Sequence, residues 1–315
     1  MRKFFRKFIA LFFLLLSTIV ILNFLYINTN YWKNIVDIKR FMNVPEGIQI
    51  ANVGSSHGVN SFDYDGIPYR AINFGLNAQR FFYDYAIIKQ YINKFDKNAV
   101  LLIPVSYFQI TMLKTDFRDQ RARYYRFLDK ENMDSNSIKE NMLYVLFPVL
   151  TAGTTMKFII KDQQPSTPVL MVAKEPELTR HSISRYQSWT SDRRDDKETR
   201  EEGFAYNKSS VSQIITFCYT HDIQPILITT PITSVLNNIL LEKTPDLFDD
   251  FYRFTRELQE IYPSLPYFDY SHDPRFENEF SLFRDSDHLN IDGARKFTTI
   301  VISDLQANGL LPVIE

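Results

Sequence analysis

The chain has 315 residues, of which 45% are hydrophobic and 23% charged, so it can bury a core and is not disordered as a whole. Its 36 basic and 37 acidic side chains nearly balance, which argues against a nucleic-acid-binding protein that depends on bulk positive charge. The single cysteine, Cys218, excludes an intramolecular disulfide and a zinc site of paired thiolates. No two of the five histidines have the local spacing of metal ligands, so the sequence predicts neither a metal site nor a cofactor.

The N-terminus predicts a membrane anchor. Four basic residues precede a 20-residue apolar run, residues 8–27, which is interrupted by Ser17, Thr18 and Asn23. Its length matches the hydrocarbon core of a bilayer, and the small-residue cleavage site of a signal peptide is missing. Because basic residues favour the cytoplasmic side, we expect residues 1–29 to be a cytoplasmic tail and transmembrane anchor, with the remaining chain extracytoplasmic. The alternative interpretation is a buried core helix.

Beyond the anchor, a short juxtamembrane helix is expected within residues 30–47, and apolar segments typical of buried strands then alternate with helical patterns. Strands are predicted at residues 48–53, 99–105, 225–230 and 265–270, with a further short strand directly before residues 71–77. Helices are predicted at residues 79–95, 208–220, 248–261 and 292–307. This alternation predicts one α/β domain over residues 48–315, a doubly wound parallel sheet with helices on both faces.

The alternation stops between about residues 109 and 206, which we interpret as an insertion. Its arginine- and tyrosine-rich stretch, residues 118–126, favours either an amphipathic surface helix or a groove for a glycan or phosphate. Residues 139–150 predict an apolar helix. The mixed-charge run at residues 191–198 is typical of a solvated loop or exposed helix.

Ligands of parallel α/β sheets bind beyond the carboxyl ends of the strands, where this chain places Ser55, Ser56 and His57. A serine hydroxyl needs a histidine base to become a nucleophile, and that histidine needs a carboxylate to orient it. Two Asp-x-x-His pairs offer this combination, Asp285 with His288 and Asp269 with His272. We favour the first pair, because it directly precedes the last predicted helix, where Asn290 or Asp292 can cap.

Three segments resemble the sequence blocks of the SGNH hydrolases, also called GDSL-like esterases: Gly54-Ser55-Ser56 after a strand, Asn73-Phe74-Gly75, and Asp285-x-x-His288 before the last helix. The resemblance implies a flavodoxin-like fold, with Ser56 as nucleophile, His288 as base and Asp285 as its partner. It also implies that Gly75 donates to the oxyanion hole.

The third block of the family, Gly-x-Asn-Asp, is replaced here by Ile103-Pro104-Val105-Ser106-Tyr107-Phe108. Ser106 is the nearest polar substitute for the missing oxyanion donor. Within the family, the basic anchor and the Gly-Ser-Ser turn look most like cell-envelope proteins that act beside membrane-bound O-acyltransferases, such as the D-alanyl transfer protein for teichoic acids and alginate O-acetylation proteins.

This resemblance implies serine-dependent transfer of an acyl group, commonly acetyl, to an extracellular polysaccharide or other polymer. A membrane-bound O-acyltransferase would be its partner. The alternatives are an extracytoplasmic carbohydrate esterase and an inactive polymer-binding or scaffolding module.

Several residues keep a second interpretation at this stage. Ser56 could be a turn or capping residue with Ser55 as the nucleophile, Asp287 could replace Asp285, and His57 could be a turn residue or a second base. Gly75 could supply a positive φ, and Asn77 could donate to the oxyanion hole or cap the next helix.

Overall fold

The computed structural model describes residues 2–30, 32, 39–113, 123–134, 137–150, 159–160, 175–191 and 197–314. The chain forms two compact units. The first consists of Met1–Asn43 and Asp116–Thr167, and the second consists of Val44–Thr115 and Pro168–Glu315. The residues predicted as an insertion, 109–206, therefore contribute to both units.

The described strands are β1 (Ile48–Asn52), β2 (Ala71–Asn73), β3 (Phe95–Pro104), β4 (Gln224–Thr229) and β5 (Tyr267–Asp269). The described helices are α1 (Arg2–Ile27), α2 (Lys39–Met42), α3 (Ser56–Ser61), α4 (Phe81–Tyr91), α5 (Ile138–Asn141), α6 (Glu175–Ser191), α7 (Lys197–Thr220), α8 (Ser234–Lys243), α9 (Pro245–Ile261) and α10 (Ile291–Ala307).

In the first unit, α1 is long and apolar enough to cross a membrane, which supports the predicted anchor. The hydroxyls of Ser17 and Thr18 donate to a carbonyl within the helix, that of Leu14. Asn23 instead bonds outside the helix. Its Nδ2 donates to Leu146 O at 3.1 Å, and its Oδ1 accepts from Val149 N at 3.3 Å. Asn23 therefore ties α1 to a segment more than a hundred residues later in the chain.

That segment differs from the single helix predicted at residues 139–150. Helix α5 passes into a π-helix at Met142–Leu146, and a 3-10 turn follows at Pro148–Leu150. Proline lacks the amide hydrogen that would continue a helix, which explains why the helix ends before Pro148. The arginine- and tyrosine-rich stretch lies partly outside the described residues; in its described part Arg123 and Tyr124 are buried and Arg126 is exposed. The predicted juxtamembrane helix also lies largely outside the described residues, apart from α2.

The second unit contains a parallel five-stranded sheet in the order β2-β1-β3-β4-β5, flanked by helices. This confirms the predicted parallel α/β class. Residues 100–103 of β3 are fully buried, as expected of a central parallel strand with neighbours on both sides. One boundary was wrong: Ala71–Asn73 is itself β2, whereas the sequence analysis placed these residues after the strand.

Helix α10 fixes the position of the loop that precedes it. Phe297 of α10 is fully buried among side chains of β1, β3 and β4 and other core residues. Of the two predicted capping residues, Asn290 is the N-cap, and its Oδ1 accepts from Gly293 N at 3.0 Å. A Cβ on Gly293 would lie 2.1 Å from Leu282 O, so only glycine allows this close approach. Residues 285–290 are thereby anchored beside the sheet.

Candidate active site

Two asparagines shape the turn that follows β1. Asn52 Nδ2 donates to Gly58 O and to Asn73 Oδ1, both at 3.0 Å. Asn73 Nδ2 donates to Gly58 O at 3.1 Å and to two further carbonyls near the end of α3. Gly54 has a φ of +111°, a conformation that favours glycine. The ends of β1 and β2 therefore hold α3 in place through side-chain amides.

Ser56 is the first residue of α3, and Ser55 occupies the N-cap position. Ser56 is half-buried, and its hydroxyl makes no hydrogen bond to any described residue. Its backbone carbonyl accepts from Asn60 Nδ2 at 2.6 Å, and Asn60 Oδ1 accepts from Arg284 Nη1 at 3.2 Å. The start of α3 is therefore linked to the loop that carries Asp285 and His288. Ser55 Oγ is buried and has no hydrogen-bond partner in the described part of the chain.

Asp285 and His288 form the predicted pair. His288 Nδ1 lies 2.9 Å from both carboxylate oxygens of Asp285, and Asp285 Oδ1 also accepts from the backbone amides of Asp287 and His288. Burial acts to raise the pKa of Asp285, but the hydrogen bond and charge of His288 outweigh it and hold that pKa well below its usual range. His288 Nε2 is buried and has no hydrogen-bond partner among the described residues. The expected hydrogen bond from Ser56 Oγ to this nitrogen is not formed in this structure.

A second histidine lies beside the first, and its partners are unexpected. His57 Nδ1 is 2.7 Å from Ser106 Oγ, and its Nε2 is 3.1 Å from Asp287 Oδ2. A carboxylate can only accept, so Nε2 carries the ring proton and Nδ1 accepts from the Ser106 hydroxyl. Burial lowers the pKa of His57, although the bond to Asp287 opposes that effect. The rings of His57 and His288 are 5.3 Å apart and nearly perpendicular.

Helix α6 contributes two site residues that sequence analysis missed. Arg185 Nε donates to Asp287 Oδ1 at 2.7 Å, and its Nη2 lies 3.9 Å from Asp285 Oδ2. The Trp189 ring packs against Phe108 at 5.1 Å and against His57 at 6.2 Å. Arg185 and Trp189 are four residues apart and so share one face of the helix. This four-residue spacing is visible in the sequence, but it does not show which residues the two side chains contact.

Gly75 and Asn77 each lose one of the interpretations that the sequence left open. The Gly75 amide donates to Asn73 Oδ1 at 2.9 Å, and Gly75 does not have a positive φ. An added Cβ there would meet Val59 N at 2.9 Å, so close packing rather than backbone conformation requires glycine. Asn77 is exposed and does not cap α4, whose N-cap is Arg80.

The second Asp-x-x-His pair has separate neighbours. His272 Nδ1 is 3.0 Å from Asn237 Nδ2, and Asp269 accepts from Tyr252 and Ser271. The two residues of this pair are therefore engaged with other side chains.

The two histidines differ in what they can do chemically. Both nitrogens of His57 are hydrogen-bonded, whereas His288 has one nitrogen oriented by a carboxylate and the other without a hydrogen bond to any described residue. The second arrangement is the one that a general base requires. Comparison with protein-family models and with curated protein sequences finds no match to this chain.

Proposed function

We propose that the chain is a serine-dependent acyltransferase of the SGNH type, with Ser56 as nucleophile, His288 as base and Asp285 as its orienting carboxylate. The observation that carries the proposal is the Asp285–His288 pair, in which Nδ1 is held at 2.9 Å and the buried Nε2 makes no hydrogen bond within the described part of the chain. A base needs one fixed ring nitrogen and one available lone pair. The strand order 2-1-3-4-5 also supports a doubly wound, flavodoxin-like arrangement.

Ser56 is better supported as the nucleophile than Ser55 or Ser106. It directly follows the turn after β1, and its hydroxyl is half-buried with no hydrogen bond to a described residue. Ser106 is 2% exposed and bonded to His57, and Ser55 is equally buried. A nucleophile must be accessible to a substrate carbonyl, and of these three serines only Ser56 is partly exposed, which favours it.

In the proposed reaction, His288 Nε2 takes the hydroxyl proton as Ser56 Oγ attacks the carbonyl carbon of an ester. Asp285 stabilises the imidazolium that forms. The protonated ring then returns its proton to the leaving alcohol, which leaves an acyl-serine. Transfer to a polymer hydroxyl regenerates Ser56, and hydrolysis by water gives the esterase alternative.

The oxyanion donors differ from the family pattern. The Gly75 amide and the Ser106 hydroxyl, both predicted donors, have protein partners in Asn73 and His57. The Ser56 amide belongs to the first turn of α3, where backbone amides lack helical partners. We propose that this amide is the principal donor. Gly75 or Ser106 would contribute after exchanging its present partner.

We base the proposed location of this reaction, at the outer side of a membrane, on α1. A basic start before an apolar helix supports a single-pass protein with its catalytic unit extracytoplasmic. We propose an O-acylated cell-surface polymer as substrate and a membrane-bound O-acyltransferase as acyl-donating partner. The inactive binding module remains the alternative if catalysis is missing.

The test measures alcohol release from a chromogenic acetyl ester by the full chain in detergent. Ser56→Ala and His288→Asn should each lower the rate roughly 10³-fold or more, with no further loss in the double variant, because the residues act as a unit. Ser55→Ala is the matched control and should keep wild-type activity. Full activity in Ser56→Ala would refute the catalytic assignment. If Ser106→Ala abolishes alcohol release while Ser56→Ala does not, Ser106 is the nucleophile instead. A polymer hydroxyl that accelerates alcohol release without raising free acetate would distinguish the transferase from the esterase.

A further inference from the structure

Three potential metal ligands converge where α3 meets the loop before α10. His57 Nε2 is 3.1 Å from Asp287 Oδ2, and His288 Nε2 is 3.7 Å from the same oxygen. All three ligand atoms lie within 4.8 Å of one another. We propose that His57, Asp287 and His288 bind a divalent transition-metal ion, with Zn²⁺ as the best match.

The separations of the two histidine nitrogens from Asp287 Oδ2 suit a tetrahedral ion. Zinc bonds of about 2.0–2.1 Å at tetrahedral angles place neighbouring ligand atoms about 3.3 Å apart. The two separations from Asp287 Oδ2, 3.1 and 3.7 Å, lie on either side of that value. Imidazole nitrogens and a carboxylate are the ligand types that zinc prefers when thiolates are missing. Three protein ligands leave the fourth position for water or another exogenous ligand.

Each ligand is oriented by a separate partner on its far side. His288 Nδ1 is held by Asp285 at 2.9 Å, and His57 Nδ1 by Ser106 at 2.7 Å. Asp287 Oδ1 accepts from Arg185, which directs Oδ2 toward the two rings. Metal-bound histidines characteristically have such a second partner, which fixes the ring and its tautomer.

Burial supplies an independent indication of a ligand. The three residues are 3%, 2% and 5% exposed, yet His288 Nε2 has no hydrogen-bond partner among the described residues. A buried nitrogen without a hydrogen bond costs about 1–3 kcal/mol, so a group that engages it would stabilise the folded chain. A cation bound between Nε2 and Asp287 Oδ2 would do so.

The ring of His57 must change tautomer when the ion binds. Its Nε2 proton leaves to solvent and Nδ1 takes one up, so the ring stays neutral and then donates to Ser106 Oγ. The positive charges of Arg185 and Arg284 oppose a cation. The carboxylates of Asp285 and Asp287 lie against these same arginines and offset them.

The metal site has a consequence that rests on the proposed function. Zinc would occupy His288 Nε2, the atom proposed to accept the Ser56 proton, so an occupied site would be catalytically silent. We therefore expect ZnCl₂ to inhibit ester hydrolysis and a chelator to restore it. The metal-binding measurement itself does not depend on catalysis.

That measurement uses Co²⁺, which quenches nearby tryptophan fluorescence, on the chelator-treated full chain in detergent. The chain has two tryptophans, and Trp189 lies 6.2 Å from the His57 ring, so the Trp32→Phe variant isolates the relevant signal. We expect saturable quenching that Zn²⁺ reverses by competition. Asp287→Asn and His288→Asn should weaken Co²⁺ binding at least tenfold, and Ser106→Ala, which leaves all three ligands, roughly 10–100-fold.

The exposed His221 provides the matched control, and His221→Asn should bind Co²⁺ like wild type. Each variant's native Trp189 emission, compared with that in denaturant, verifies that it is folded. Quenching that does not saturate, or that a folded Asp287→Asn protein retains at wild-type affinity, would overturn the metal site. An ester-inactive protein that binds Co²⁺ would refute only the proposed function, and an active one that does not bind it would refute only the metal site.

Discussion

The buried carboxyl group of Asp84 contacts the turn that leads to Ser56. It is fully buried in α4, and its Oδ1 accepts from Gly54 N at 2.8 Å and from Gln79 Nε2 at 2.7 Å. Its Oδ2 is buried with no hydrogen-bond partner among the described residues. Burial raises the pKa of Asp84 to about 7, against the opposing effect of the two hydrogen bonds.

This shift makes the folded state bind a proton that the unfolded state has already lost. An aspartate in the unfolded chain has a pKa of about 3.9, so between roughly pH 4 and 7 the folded chain retains the Asp84 proton and the unfolded chain does not. Stability therefore falls as pH rises through that window. Three pH units at about 1.4 kcal/mol each give a loss of about 4 kcal/mol in the free energy of unfolding above pH 8.

The substitution Asp84→Asn should remove this pH dependence. Asparagine keeps the Oδ1 acceptor for Gly54 and Gln79 but cannot ionise. The free energy of unfolding of the variant, relative to wild type, should therefore increase by about 4 kcal/mol between pH 4 and pH 9. The substitution should act on the unit that contains both Asp84 and the turn at Gly54.

Denaturant titrations of the full chain at several pH values measure this difference. Trp189 lies in the same compact unit as Asp84, so its fluorescence in the Trp32→Phe background reports unfolding of that unit. The exposed carboxyl of Asp65 is the matched control, and Asp65→Asn should reproduce the wild-type pH profile. Parallel profiles for Asp84→Asn and wild type from pH 4 to 9 would refute the reasoning.

Further substitutions test the turn and the orientation. Gly58→Ala puts a Cβ 2.3 Å from Val53 O and should lower the free energy of unfolding by about 1–3 kcal/mol in the same titration; an unchanged midpoint would contradict the close packing. Asn73→Ala removes the amide that donates to three carbonyls near α3, of which Gly58 O keeps a second donor, Asn52, and the variant should lose about 2–3 kcal/mol in the free energy of unfolding. Protease added to intact cells should remove the chain beyond residue 32, and full protection would reverse the proposed orientation.

Much of the sheet was predictable because central parallel strands are continuous apolar runs. Residues 100–103 and 226–228 are such runs, and both lie in the sheet as expected. Helix boundaries were harder to predict from the sequence. Helix α7 begins at Lys197, where charged residues form helix without an apolar stripe, whereas the pattern begins near residue 208. Helix α8 was not predicted, because Asn237 and Asn238 weaken its helical pattern.

The site was predictable only where its contacts are local. Asp285 and His288 are three residues apart in one loop, so their spacing alone suggested the pair. His57 contacts Ser106, 49 residues away, and Asp287, 230 residues away, and each of these contacts requires the folded sheet. Arg185 reaches Asp287 from a helix in the middle of the chain, 102 residues distant. Contacts between residues so far apart in the sequence produce no characteristic spacing, so they could not be predicted from a sequence pattern.

The hydrogen bonds of Asn23 bear on how the protein can be shortened for solution work. Deleting residues 1–29 alone would remove the side chain that pairs with Leu146 O and Val149 N. The nearby apolar side chains of Met142, Val145 and Leu146 are already 53%, 51% and 54% exposed, so the remainder would carry an aggregation-prone patch. A soluble version should therefore begin at Val44 and also replace residues 116–167 with a flexible polar linker, so that α1 and the segment bonded to Asn23 are removed together.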